Sequence, residues 1–66
     1  MIIQLNGNKK EISTDVTITD LLQELDLANT SVVIVLNQTI IQQKETNDIS
    51  LKEGDTLELI RFVGGG

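Results

Sequence analysis

Apolar and polar side chains alternate over two short stretches near the start of the chain. Ile3 and Leu5 flank Gln4, and Ile12 lies between Glu11 and Ser13. A period of two marks a half-buried strand. Between the stretches sits Asn6-Gly7-Asn8. Asn-Gly favours a two-residue hairpin turn because both residues tolerate positive φ. The pattern therefore predicts a hairpin of Met1 to Leu5 with Lys9 to Ser13. The period then changes. Ile18, Leu21, Leu22 and Leu25 recur at i, i+3, i+4 and i+7, the apolar stripe of one amphipathic helix. Thr17 is placed to cap it, with Asp20 completing a capping box, and Val16 and Leu21 occupy the positions of a hydrophobic staple. Asp20 also lies where the helix dipole favours an anion. The helix is predicted to fade over Asp26 to Ala28, with Asn29 as its stop.

Further along, Val32 to Leu36 is continuous, apolar and β-branched, too short for a helix, and predicts a well-buried strand. Asn37-Gln38 marks a bend, and Thr39-Ile40-Ile41 a short strand after it. Gln42 to Ser50 is polar except for Ile49 and is expected to be irregular, with room for a single helical turn. Glu53-Gly54-Asp55 is a second turn, and Thr56 to Val63 a last strand whose first half alternates. Strand, strand, helix, strand, short strand, strand describes an α+β roll with one helix on one face of a mixed sheet.

Composition narrows the chemistry. The chain has 66 residues, enough for one domain, and 39% hydrophobic against 23% charged residues permits a packed core. It has no Cys and no His, which excludes a disulfide scaffold, a thiol catalyst and the commonest general base. Phe62 is the one aromatic residue, so no stacking platform for single-stranded nucleic acid exists. A net charge of -5 lacks the basic face that nucleic-acid binding needs. It suits a partner with a basic surface. The start has neither a basic n-region nor an apolar h-region, and no apolar run approaches a bilayer span. A soluble, cytoplasmic protein with no membrane partner is expected.

No side-chain constellation supplies catalysis. Ser and Thr hydroxyls have no His beside which to be activated. Asp20 and Glu24, spaced i, i+4, read as a solvated helix face, and Glu53-Gly54-Asp55 lacks the rest of a calcium loop. No metal site is expected. The glycines do not lie between a strand and a helix, so they build no phosphate cradle. The chain ends differently. Large apolar residues stop at Val63, and Gly64-Gly65-Gly66 follow. Glycine has no side chain and samples φ widely, so such a tail can thread a channel that excludes any Cβ. It delivers one group, the Gly66 α-carboxylate, which accepts a nitrogen, oxygen or sulfur nucleophile once activated as an acyl-adenylate. The alternative is a frayed end without a role.

Five segments together resemble the ThiS family of sulfur carriers in thiamine biosynthesis, of the ubiquitin-like β-grasp class. They are Met1-Ile2-Ile3 with Asn6-Gly7, Thr17 to Leu22, Val33 to Asn37, Leu51 to Asp55, and Ile60 to Gly66. The resemblance implies a β-grasp roll, a mixed four- to five-stranded sheet with one helix, as a single domain over 1–63 and a flexible glycine tail at 64–66. It implies that a ThiF-like enzyme uses ATP to adenylate Gly66. Sulfur drawn from cysteine by a desulfurase or sulfurtransferase then gives a thiocarboxylate, and a ThiG-like thiazole synthase takes the sulfur. The protein is then a cosubstrate and not an enzyme, a monomer with no bound cofactor. In this scheme Gly64 and Gly65 occupy the partner's channel, and Ile60, Phe62 and Val63 dock partners. For Ile60 a core position is equally open; the lone Phe62 favours an interface.

Three alternatives stand beside this. One is a MoaD-like small subunit of molybdopterin synthase, whose chains are usually longer and often carry prolines before the glycines. This chain has no Pro. The others are a ubiquitin-like modifier joined to lysines and an inert binding module.

Overall fold

The first six residues of the sheet already show how local chemistry sets the architecture. Strand β1 (Ile2–Leu5) turns through Asn6 and Gly7 into β2 (Asn8–Glu11), with Leu5 opposite Asn8. Asn6 and Gly7 have φ of 50° and 84°, the pair of positive values a primed two-residue turn demands. The turn uses only those two residues, so β2 begins at Asn8, one residue before the predicted Lys9. It also ends at Glu11. Ile12 extends the pairing through its amide to the Met1 carbonyl (2.8 Å), while the terminal ammonium donates to the Ile12 carbonyl (2.7 Å).

The computed structural model describes residues 1–28 and 30–61. After the hairpin come α1 (Ile18–Glu24), β3 (Val32–Leu36), β4 (Thr39–Ile41), a 3-10 helix over Gln43–Asp48, and β5 (Thr56–Arg61). The five strands form one sheet in the order β2-β1-β5-β3-β4. β1 and β5 are parallel and the other pairs antiparallel. The mixed sheet with one helix agrees with the sequence expectation, at five strands.

Helix α1 starts as expected. The Asp20 amide donates to Thr17 Oγ1, and the Asp20 carboxylate accepts from the Thr17 amide, closing the capping box. It ends sooner than predicted. Asp26 takes φ 62°, its amide donates to the Gln23 carbonyl, and the Leu27 amide reaches back to the Leu22 carbonyl at 2.7 Å. This is a Schellman termination with Asp in the place usually held by Gly. It ends the helix at Glu24, ahead of Asp26 to Ala28, and folds Leu27 back onto the core. The predicted stop at Asn29 lies outside the described residues.

Ile18, Leu21 and Leu22 of α1 pack on Ile3, Ile34, Leu57 and Leu59 of the sheet, with Ile12, Val32 and Leu51 closing the edges. Leu25 and Val16 lie half-buried against this core. Because one helix covers one face, β3 turns Val32, Ile34 and Leu36 toward the core, Leu36 only half-buried at the strand end, while Val33 and Val35 lie half-buried on the other face. The continuous apolar run thus does not signify a strand covered on both faces.

Gln42 to Ser50 is more ordered than expected. The 3-10 helix places Thr46 inside, where its hydroxyl donates to the Gln43 carbonyl (2.8 Å) and shares a hydrogen bond with the Thr19 hydroxyl (2.7 Å). The segment is then sewn to the start of α1: the Ile18 amide donates to the Ile49 carbonyl, and the Leu51 amide to the Val16 carbonyl. In the second predicted turn Gly54 has φ 84°, with open space where a Cβ would stand, so glycine serves the backbone angle there.

Candidate functional site

Strand β5 carries the chain toward its last residues, and its alternation decides what each side chain meets. Leu57 and Leu59 point into the core, while Thr56, Glu58 and Ile60 face the opposite, uncovered side of the sheet. Ile60 is 51% exposed, so of its two possible placements it takes the surface one. Opposite Ile60 in register is Val33, opposite Glu58 is Val35, and opposite Val35 is Ile40 of β4, 72% exposed. Residues directly opposite share a face. Ile60, Val33, Val35 and Ile40 therefore form a diagonal apolar stripe with Glu58 beside it, ending where β5 runs into 62–66. Phe62, Val63, Gly64, Gly65 and Gly66, the other predicted site residues, lie outside the described residues.

Val33, Val35 and Ile40 were not singled out from sequence. The signal was present for the valines: in an apolar strand under a single helix, alternate residues must face outward. Ile40 had no such signal, since three residues are too few to show a period.

Two asparagines hold β5 from either side. The Asn37 amide donates to the Thr56 carbonyl (2.8 Å), and Asn37 Oδ1 accepts from the Thr56 amide (2.9 Å). The Asn6 amide donates to the Leu57 carbonyl (3.0 Å), and Asn6 Oδ1 accepts from the Leu59 amide (2.8 Å). A backbone N–H can be satisfied only by the oxygen of an Asn side chain, so both amides are oriented by their partners. Each Asn is the first residue of a two-residue turn with φ near 50° (49° for Asn37, 50° for Asn6). Both hairpins thus use the same device to clasp the strand between them.

Elsewhere, a hollow of about 320 Å³ lies between α1 and the 3-10 helix, lined by Thr19, Leu22, Ala28, Gln43, Lys44 and Thr46. Its two threonine hydroxyls already bond to each other. Among the described residues, no buried side-chain polar atom is left without a partner, and no three acidic side chains gather as a metal site.

A mixed sheet in the order β2-β1-β5-β3-β4 with one helix across it is the ubiquitin-like β-grasp fold, here with its central strand leading into a glycine run. The sequence model of the ThiS family matches residues 3–66, and the chain belongs to that family. It is 36% identical to the sulfur carrier protein ThiS of Bacillus subtilis over 66 residues, covering 98% of this chain and all of that one. It is also 30% identical, over its whole length, to a thiazole synthase of Paramagnetospirillum magneticum, of which it spans 20%. Among solved structures, the crystal structure of the thiamine biosynthesis protein ThiS from Geobacter metallireducens superposes with a TM-score of 0.84 at 28% identity, both chains covered completely.

Proposed function

We propose that this chain is a sulfur carrier of thiamine biosynthesis that works through the Gly66 α-carboxylate. The observation that carries this reading is similarity along the whole of a sulfur carrier protein ThiS, with the family match running through Gly64-Gly65-Gly66.

The chemistry follows from what a carboxylate lacks. It is a poor acyl donor because its leaving group would be an oxide. A ThiF-like enzyme supplies a better one: a Gly66 oxygen attacks the α-phosphorus of ATP, pyrophosphate departs, and an acyl-adenylate results. A persulfide carried by a cysteine desulfurase or sulfurtransferase attacks the carbonyl carbon and AMP leaves, giving an acyl disulfide. A second thiol then attacks the donor-side sulfur, forms a disulfide with the donor and releases the Gly66 thiocarboxylate. ATP belongs to the activating enzyme; the carrier binds no cofactor of its own and is a cosubstrate, with its reactive atoms on the main chain. Gly64 and Gly65 keep the approach to Gly66 free of Cβ atoms. Ile60 and the stripe beside it, with Phe62 and Val63, offer partners an apolar surface, and the net negative charge favours encounter with basic docking patches.

The similarity to one fifth of a thiazole synthase supports that enzyme as the acceptor, since one polypeptide there holds both a carrier-like segment and a synthase name. A monomer in the cytoplasm fits a carrier that must visit two enzymes in turn.

Intact mass tests the reading. The protein is incubated with ATP, a ThiF-like activating enzyme and a cysteine-desulfurase sulfur source. Exchange of one oxygen for sulfur, mapped to Gly66 by fragmentation, is expected. An unchanged mass, with the same enzymes active on a known carrier, overturns it. Adducts on target lysines would mean a modifier, and discharge to a molybdopterin precursor a MoaD-like subunit.

A further inference from the structure

Strand β1 supports β5 for only part of its length. The parallel register has Gln4 opposite Thr56 and Leu5 opposite Leu57, and β1 then turns away at Asn6. Within β5 the odd-numbered residues aim their N–H and C=O toward β1, as Leu57 shows by accepting from the Asn6 amide. The Leu59 amide therefore faces a place where no strand continues. Asn6 Oδ1 fills it, at 2.8 Å and partly buried, joining residues fifty-three positions apart. One side chain thus extends the ladder past the last residue of β1, on the half of β5 that leads to 62–66.

We propose that Asn6 is a positioning residue for the terminal acyl group: its side chain fixes the line along which β5 delivers the tail to the activating enzyme. This rests on the carrier reading above. A strand already aligned loses less freedom on docking, so the contribution falls on binding of the carrier and not on the chemistry of adenylation.

Asn6→Gly isolates the side chain, because glycine keeps the positive φ of the turn and removes only the acceptor. Asn6→Asp keeps an acceptor oxygen and a residue that tolerates this φ. Asn37→Gly is the control. It removes the equivalent oxygen from the same turn position, but from the Thr56 end of β5, away from the tail. The assay is ATP–pyrophosphate exchange by a ThiF-like enzyme, with the full chain as variable substrate, and melting temperature measured alongside. Asn6→Gly is expected to raise KM for the carrier by about fivefold, the worth of one backbone-anchored hydrogen bond, with kcat little changed. Asn6→Asp restores KM. Asn37→Gly lowers the melting temperature at least as far and leaves KM in place. Equal KM changes in the two Gly variants, or none in Asn6→Gly, overturn the proposal. Amide exchange at Leu59 and Arg61 is read on the same samples and should accelerate in Asn6→Gly alone. If the wild-type chain is not adenylated at all, the carrier reading falls, and positioning of a tail for it falls too. The exchange rates still decide whether Asn6 fixes β5.

Discussion

The two halves of β5 are built unequally. At its first residues, bonds arrive from four directions. Asn37 takes both the amide and the carbonyl of Thr56, the Asp55 carboxylate accepts from the Lys52 amide and Asn37 Nδ2, and the Gln4 amide donates to the Asp55 carbonyl. The Gly54 amide donates to the Ile2 carbonyl, and Glu53 Oε1 accepts from the Ile2 amide. At the other half, β3 pairs through Val32 and Arg61, while the β1 side offers the Asn6 side chain alone. The strand is anchored redundantly where it enters the sheet and sparingly where it heads for the tail. Under the proposed carrier role, stability and delivery of the acyl group fall at opposite ends of one strand, and mutations at the two ends should separate them.

The tail gives the largest effect. Adding one residue after Gly66, or deleting Gly66, is expected to abolish thiocarboxylate formation while the circular dichroism spectrum and melting temperature stay as they are. Gly65→Val should likewise block adenylation, since under the proposed carrier role a β-branched side chain would not fit a channel that excludes any Cβ. Sulfur transfer from the extended chain would break the assignment of chemistry to that end.

Leu57→Ala strikes the well-anchored half. Leu57, second of the six residues of β5, is fully buried, opposite Leu5 on one side and Leu36 on the other. Truncating such a leucine costs about 2–5 kcal/mol. A domain of this size has roughly 3–10 kcal/mol in total, so a much lower urea midpoint, or outright unfolding, is expected.

Asn37→Ala and Asn6→Ala sharpen the comparison. Both lose an acceptor and place alanine at positive φ, but only Asn37 also loses a donor bond, to Asp55. We expect about 1–3 kcal/mol for Asn37→Ala, and less for Asn6→Ala, by urea denaturation. Their order in carrier KM should be the reverse. The same order in both measurements would mean that β5 responds as one rigid unit.

These contrasts also show which features a sequence carries on its face. Asn6-Gly7 and the Thr17–Asp20 box were legible because turn and cap chemistry is local. The exposure of Ile60 was there to be read: Leu57 and Leu59 alternate with Glu58, and extending that period one step sends Ile60 outward. Other features depended on distant partners. The helix end turned on Asp26 accepting a conformation more usual for Gly, helped by Leu27 finding the core. The bend at Asn37-Gln38 was legible, but the φ of 72° at Gln38 was not, since no Gly announces it. The clasping role of Asn6 and Asn37 was invisible because their partners arrive only when β5 slots between the hairpins. The glycine tail, read from the sequence as a carrier of chemistry, lies outside the described residues.

The smallest effect concerns whether the hairpin on the tail side needs outside support. Lys10 Nζ on β2 meets Glu24 Oε2 at the end of α1, 2.7 Å apart, and ties the outermost strand to the helix. Glu24 is 59% exposed, so water competes for the pair, and exposed ion pairs contribute about 0–1 kcal/mol. A lysine beside a helix C-terminus also gains slightly from the dipole, a term that salt screens. A double-mutant cycle of Lys10→Ala and Glu24→Ala should therefore give a coupling below about 0.5 kcal/mol that fades in high salt. Amide exchange at Leu59 should not change. If breaking the pair does speed exchange at Leu59, then the Asn6 clasp depends on the outer strand being held, and the trailing half of β5 is supported through β2 and α1 as well as through one asparagine.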